Sequence, residues 1–174
     1  MSAPSSAIAD LRRATAALHD AVDAAFGAHD LADRDAYRRF LVAHARALPA
    51  AEAAMRPLPF ARTLAARTPL LHADIAALGE PLPPPLSFAV EDDAARWGVL
   101  YVVEGSRLGG AMLAGHVPAD RPRAYLAAVH PPGQWRAIRA AIDAAAAGRD
   151  AGWHARMIDG ALRTFALYRE AAGA

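Results

Sequence analysis

One period runs through almost all of this chain: apolar residues return every three or four positions. In the first stretch Ile8, Leu11, Leu18, Val22 and Ala25 recur at three-, four- and seven-residue spacing. That spacing puts them on one face of an amphipathic helix over residues 6–26. "DLADRDAYRRFLVAHARAL" predicts a second helix, with Asp30 as N-cap and Asp33 in the first turn. Pro49 should end it, leaving "AAEAAMRPL" as a separate short helix. "TPLLHADIAALG" predicts a third, capped by Thr68, entered through Pro69 and stopped by Gly79. The proline-rich "GEPLPPPLS" reads as a rigid loop. A long helix follows over residues 89–114, then "PRAYLAAV", "QWRAIRAAIDAAAA" and "AGWHARMIDGALRTFALYREAA". Neither an alternating strand pattern nor an internal repeat is present. The expectation is an all-α, compact single-domain bundle over residues 1–174, with residues 1–5 as a flexible lead and ligand sites between facing helices.

The long helix contains a puzzle. "YVVEGSRLGG" places Gly105, Gly109 and Gly110 within six positions, with Gly98 upstream. Each glycine in a helix interior costs about 1 kcal/mol relative to alanine. The chain uses 48 alanines in 174 residues, so the better helix former is abundant and is avoided here. At 100° per residue Gly98, Val102, Gly105, Gly109 and Met112 fall in one stripe nearly free of side-chain relief. Two explanations fit. Gly105 and Gly109 form a small-xxx-small pair that would let another helix approach closely. Alternatively a flat, bulky ligand lies against bare backbone that tolerates no Cβ, and the softened helix bends over it.

The first helix offers a complementary edge. Arg12, Thr15, His19 and Asp23 follow one another at spacings of three, four and four. His19 borders the apolar stripe, and Asp23 is one turn on, placed to accept a hydrogen bond from His19 Nδ1 directly or through a water. That arrangement orients a metal-ligating imidazole, although a lone histidine can equally be a packed or surface residue. Arg12 and Thr15 could hold an anionic ligand edge. The other histidines, at 29, 44, 72, 116, 130 and 154, read as surface or helix-end residues.

Composition narrows the chemistry. With no cysteine, disulfides, iron–sulfur clusters, thiolate nucleophiles and cysteine-ligated metals are excluded. All 19 basic residues are arginine, so an anionic group would be met by Arg, His or backbone N–H. A formal net charge of +1 shows no basic field for nucleic acid. No run of 18 apolar residues suggests a membrane span, and "MSAPSSAIADLRR" lacks the features of a signal peptide. The expectation is a soluble, cytoplasmic protein.

Together the two stretches resemble the heme oxygenase family. "LRRATAALHDAVD", with the pattern basic-x-x-Thr-x-x-x-His, is similar to its proximal helix; "YVVEGSRLGG" is similar to the distal helix of the bacterial branch, including enzymes that accompany bacteriophytochromes. "ALRTFALY" fits the family's last core helix. The resemblance implies heme as both cofactor and substrate, cleaved with O2 and external electrons to biliverdin, CO and ferrous iron. It implies His19 as the axial iron ligand, with Asp23 behind it. Gly105 and Gly109, with Gly110 and Tyr101, would line the distal face. Arg12, Thr15 and Arg136 would approach the propionates, and Phe165 would pack on the macrocycle. Where mammalian relatives carry a distal aspartate, this chain has Ser106, which can hold a water but adds no charge. The catalytic set so implied is His19, Gly105, Ser106 and Gly109, with proton delivery through ordered water near the Gly105 and Ser106 backbone. "AGHVPADRP" should end the distal helix early and leave an open rim.

Implied partners are heme, O2, an electron donor such as a ferredoxin or flavin reductase, and a bacteriophytochrome receiving biliverdin. A heme carrier or sensor on the same fold would keep His19 without turnover. A thiaminase-like hydrolase would need a cysteine nucleophile that this chain lacks. A purely helical interaction module would give no Soret band with hemin.

Overall fold

Each long helix starts where a short polar side chain satisfies backbone N–H groups that the helix itself cannot. In the computed structural model, which describes residues 6–173, Ser6 Oγ accepts the Ala9 N–H at 3.2 Å and opens α1 (Ala7–Gly27). The anticipated flexible lead, residues 1–5, lies outside the described residues. Asp33, not Asp30, caps α2 (Arg34–Met55), accepting from Ala36 N at 2.7 Å. Asp30 instead stabilises the preceding turn through Ala32 N. α2 also runs straight through Pro49. The proline forfeits one backbone hydrogen bond, but buried Ala47, Leu48, Ala51 and Met55 on both sides hold the turns together.

A 3-10 turn (Phe60–Thr63) leads to α3 (Thr68–Ala77). Thr68 is its first helical residue and Arg67 its N-cap, with no cap from either side chain. Glu52, from α2, does the work: its carboxylate accepts the Arg67 N–H at 2.7 Å and the Thr68 N–H at 3.2 Å. An anion at a helix N-terminus is favoured by the local dipole as well. Gly79 ends α3 as expected, at φ +78°. The proline-rich loop then delivers α4 (Asp93–Ala114), capped by Asp92. α5 (Ala124–Ala127) is shorter than the sequence suggests; buried Asp74 fixes its start by accepting from Ala124 N and Tyr125 N. α6 (Gln134–Ala146) and α7 (Ala151–Ala171) complete the chain. Among the described residues every regular element is helical. No helix among the described residues is long and apolar enough to cross a membrane.

α4 and α7 form the central pair, and glycine lets their backbones touch. A Cβ on Gly98 would overlap the Met157 carbonyl of α7, and one on Gly160 would overlap the Ala95 carbonyl of α4. α1 also packs on α7, and α2 bridges α3, α4 and α7. The core between them includes Leu11, Tyr37, Phe40, Leu48, Leu100, Ile138 and Met157, all nearly inaccessible. With α1 and α4 both resting on α7, a cavity is left between them.

Candidate functional site

The cavity has a volume of about 490 Å³, within the range of small-molecule and cofactor sites. α1 contributes His19, Val22, Asp23 and Phe26; α4 contributes Tyr101, Val102, Gly105, Ser106, Gly109 and the rim residues Leu108 and Met112. Phe40 and His44 from α2, Arg67, Tyr125, Trp135 on α6, and Phe165 and Tyr168 on α7 close it.

His19 Nδ1 lies 3.2 Å from Asp23 Oδ2, one helical turn on. A carboxylate only accepts, so Nδ1 carries the proton and the Nε2 lone pair is left available. The imidazole meets Phe165 edge-on, ring centroids 5.8 Å apart. Both polar groups are more than half exposed, at 57% and 67%. No group of three His, Cys, Asp or Glu among the described residues is arranged to hold a metal ion.

The glycine stripe divides into two parts with different physics. Gly98 serves helix packing, and a Cβ on Gly110 would press on the Leu126 carbonyl at 3.3 Å. A Cβ on Gly109 would meet nothing within 4 Å, and one on Gly105 would meet only Trp135 Cη2, at 3.5 Å. Close helix approach, one of the two sequence-level explanations, thus holds for Gly98 but not for the Gly105–Gly109 pair, which faces the cavity.

Other expected site residues are placed differently from one another. Tyr101 lines the cavity; burial raises its pKa, opposed by Arg12, Thr15 and Arg139, so its hydroxyl stays protonated. Arg12 is exposed and stands near it without lining the cavity. Thr15 is buried, and its hydroxyl donates to the Leu11 carbonyl at 2.8 Å, so it turns inward and does not line the cavity wall. Arg136 is exposed and does not line the cavity either; Arg139, one turn on, is the α6 arginine whose charge reaches Tyr101. Ser106 donates to the Val103 carbonyl and accepts from Arg67 Nη2 at 2.6 Å, which leaves its oxygen one further lone pair.

Two histidines read as peripheral are interior. His44 lines the cavity, stacked among Phe26 and Phe40 with Nδ1 donating to the Phe40 carbonyl at 2.9 Å. Burial lowers its pKa to about 4. His130, 5% exposed, bonds the Glu104 carbonyl and stacks on Trp135. Arg67, His44, Tyr125, Tyr168 and Trp135 had escaped the sequence reading. Their only signal was position in an apolar period, which marks burial and says nothing about a cavity.

No family model matches the chain. A curated relative, the heme oxygenase of Xanthomonas campestris pv. campestris (strain 8004), is 37% identical over 87 residues, which is 44% of this chain. That match spans 50% of the relative's length. The NO- and CO-bound heme oxygenase of Neisseria meningitidis, a solved structure, superposes with a TM-score of 0.80 at 25% identity, covering 98% of this chain and 94% of that one. Fold and cavity together define an all-helical bundle of the heme oxygenase type. The chain is thus similar to heme oxygenases in fold over 98% of its length and in sequence over 44% of it.

Proposed function

We propose that this chain is a heme oxygenase, taking heme as cofactor and substrate and releasing biliverdin, CO and ferrous iron. The observation that carries the reading is the pairing of His19, its Nε2 left open by Asp23, with a cavity wall of bare Gly105 and Gly109 backbone. A planar group fits such a slot: one side supplies a single nitrogen donor, the other supplies no Cβ, and Phe165 offers an aromatic edge. The heme would bring the iron that takes up oxygen and the macrocycle that is cleaved.

The chain's own residues then have distinct tasks. His19 would ligate the iron through Nε2, while Asp23 holds the imidazole in one tautomer and raises its basicity. Tyr101, kept protonated, would donate to a propionate, with Arg12 and Arg139 supplying the positive field at that edge. Gly105 and Gly109 would leave room above the iron, and Ser106 would be held by Arg67 so that the α4 backbone stays in place. Water organised along that backbone would deliver protons. An external donor such as a ferredoxin or flavin reductase supplies the electrons, and a bacteriophytochrome is a fitting acceptor of biliverdin. We place the activity in the cytoplasm.

Titrating the purified chain with hemin tests binding: an imidazole-ligated Soret band should appear at one heme per chain. Adding reductant and oxygen tests turnover, with biliverdin as the expected product. Binding without biliverdin would make the protein a heme carrier instead.

A further inference from the structure

The inner end of the cavity carries a charge for which the heme reading supplies no counter-charge. Arg67 is 2% exposed, yet it lines the cavity. Its Nη2 donates to the Val103 carbonyl at 2.7 Å and to Ser106 Oγ at 2.6 Å, while its Nε is buried with no partner in the protein. The guanidinium lies over the Tyr125 ring, 5.3 Å from its centroid, and neither buried glutamate pairs with it. Glu52 accepts backbone N–H groups of Arg67 and Thr68, and Glu104 pairs with Arg107. The guanidinium has no ion pair among the described residues.

Tyr168 adds a second, independent orphan. It is 5% exposed, lines the same cavity, and its hydroxyl is buried without a partner. Burial holds both Tyr168 and Tyr125 protonated, so they remain donors. The acceptors facing them are all neutral: His44, whose Nδ1 is already given to Phe40, and the hydroxyl oxygens of Ser106 and the two tyrosines.

Buried polar groups are almost always satisfied, and an orphan needs a guest. A buried cation without a counter-charge is the costliest kind. Here a fixed positive charge and hydroxyl donors face no carboxylate at the inner end, so the complementary guest is negative and rich in lone pairs. We propose that the inner end of the cavity is a binding subsite for a small monovalent anion, held by Arg67 and Tyr168 beside Ser106. The proposal rests on the cavity and not on the heme reading.

The test uses the heme-free chain, chloride-free buffer at constant ionic strength, and sodium azide as the probe. In ¹H–¹⁵N spectra of arginine Nε–H groups, the Arg67 signal, assigned by its loss in Arg67→Lys, should shift saturably with azide. Tyr168→Phe removes one oxygen that bonds nothing in the protein, so the fold should survive, and azide affinity should fall by about ten- to hundredfold, the value of one hydrogen bond to a charged group. Arg136→Gln, on exposed α6, should titrate as wild type. A linear drift shared by all arginines, or unchanged affinity in Tyr168→Phe, overturns the proposal. Because no hemin is present, failure here and failure of the hemin titration are separate results.

Discussion

Asp23 Oδ2 sits 3.2 Å from His19 Nδ1, across a single turn of α1. Both belong to one rigid helix, so the pairing is set before any ligand arrives. Asp23→Ala should retain five-coordinate heme and lose about 10–100-fold in affinity or activity. Resonance Raman of the iron–histidine stretch is the check. An unchanged frequency would mean that the carboxylate does not polarise the ring.

His19→Ala removes the nitrogen donor but leaves Val22, Phe26, Phe165 and the glycine wall intact. Hemin should still bind through apolar packing, without the spectrum of imidazole-ligated iron, and turnover should collapse. Free imidazole should restore part of the spectrum. A mutant spectrum matching wild type would point to another ligand.

The glycines should separate cleanly by mutation. Gly98→Ala and Gly160→Ala drive a methyl into backbone carbonyls that cannot step aside. Overpacking of that kind costs typically about 1–3 kcal/mol or more, which apo melting curves would show. Gly109→Ala adds its methyl to open space, so the apo helix should be equally stable or gain up to about 1 kcal/mol. Hemin binding should persist while biliverdin formation slows or diverts to peroxide release. A destabilised Gly109→Ala with normal biliverdin yield would defeat the cavity-facing assignment.

How much of this could be read from the chain alone varied with the range of the interaction. Helix caps are legible at short range only to within a few residues, as for α2, where Asp33 takes the role that Asp30 suggests. They fail where a distant group takes over: Thr68 looks like a cap, but Glu52 supplies the cap from α2. Local sterics make Pro49 look like a break, whereas packing on both sides overrides a single lost hydrogen bond. The His19–Asp23 contact was accessible because helical geometry fixes it. Arg67 and Tyr168 lie a hundred residues apart and meet only through the fold, so no spacing could announce them.

His44 should make stability depend on pH. Its folded pKa is lowered to about 4 from 6.5, so the unfolded chain binds the proton more readily across that window. Stability contributed by the neutral ring is complete above pH 6.5 and is lost as pH falls toward 4, by up to about 3 kcal/mol. Urea unfolding at pH 4.5 and 7 should differ by less in His44→Phe than in wild type. Equal differences would show that the ring is solvated in the native state.

The Gly98 and Gly160 contacts clasp α4 to α7 near one end only. Beyond them the helix runs on to Leu108 and Met112, which are 50% and 75% exposed. Yet α4 stays anchored well past that clasp: Val102, Val103, Glu104, Arg107 and Gly110 are all buried, and Gly110 rests against the Leu126 carbonyl. Only the last turn, from Ala111 to Ala114, projects beyond that anchor. Amide exchange should therefore stay slow through Gly110 and rise abruptly after it. The mouth would then open by fraying of one helical turn, with the rest of the helix held still.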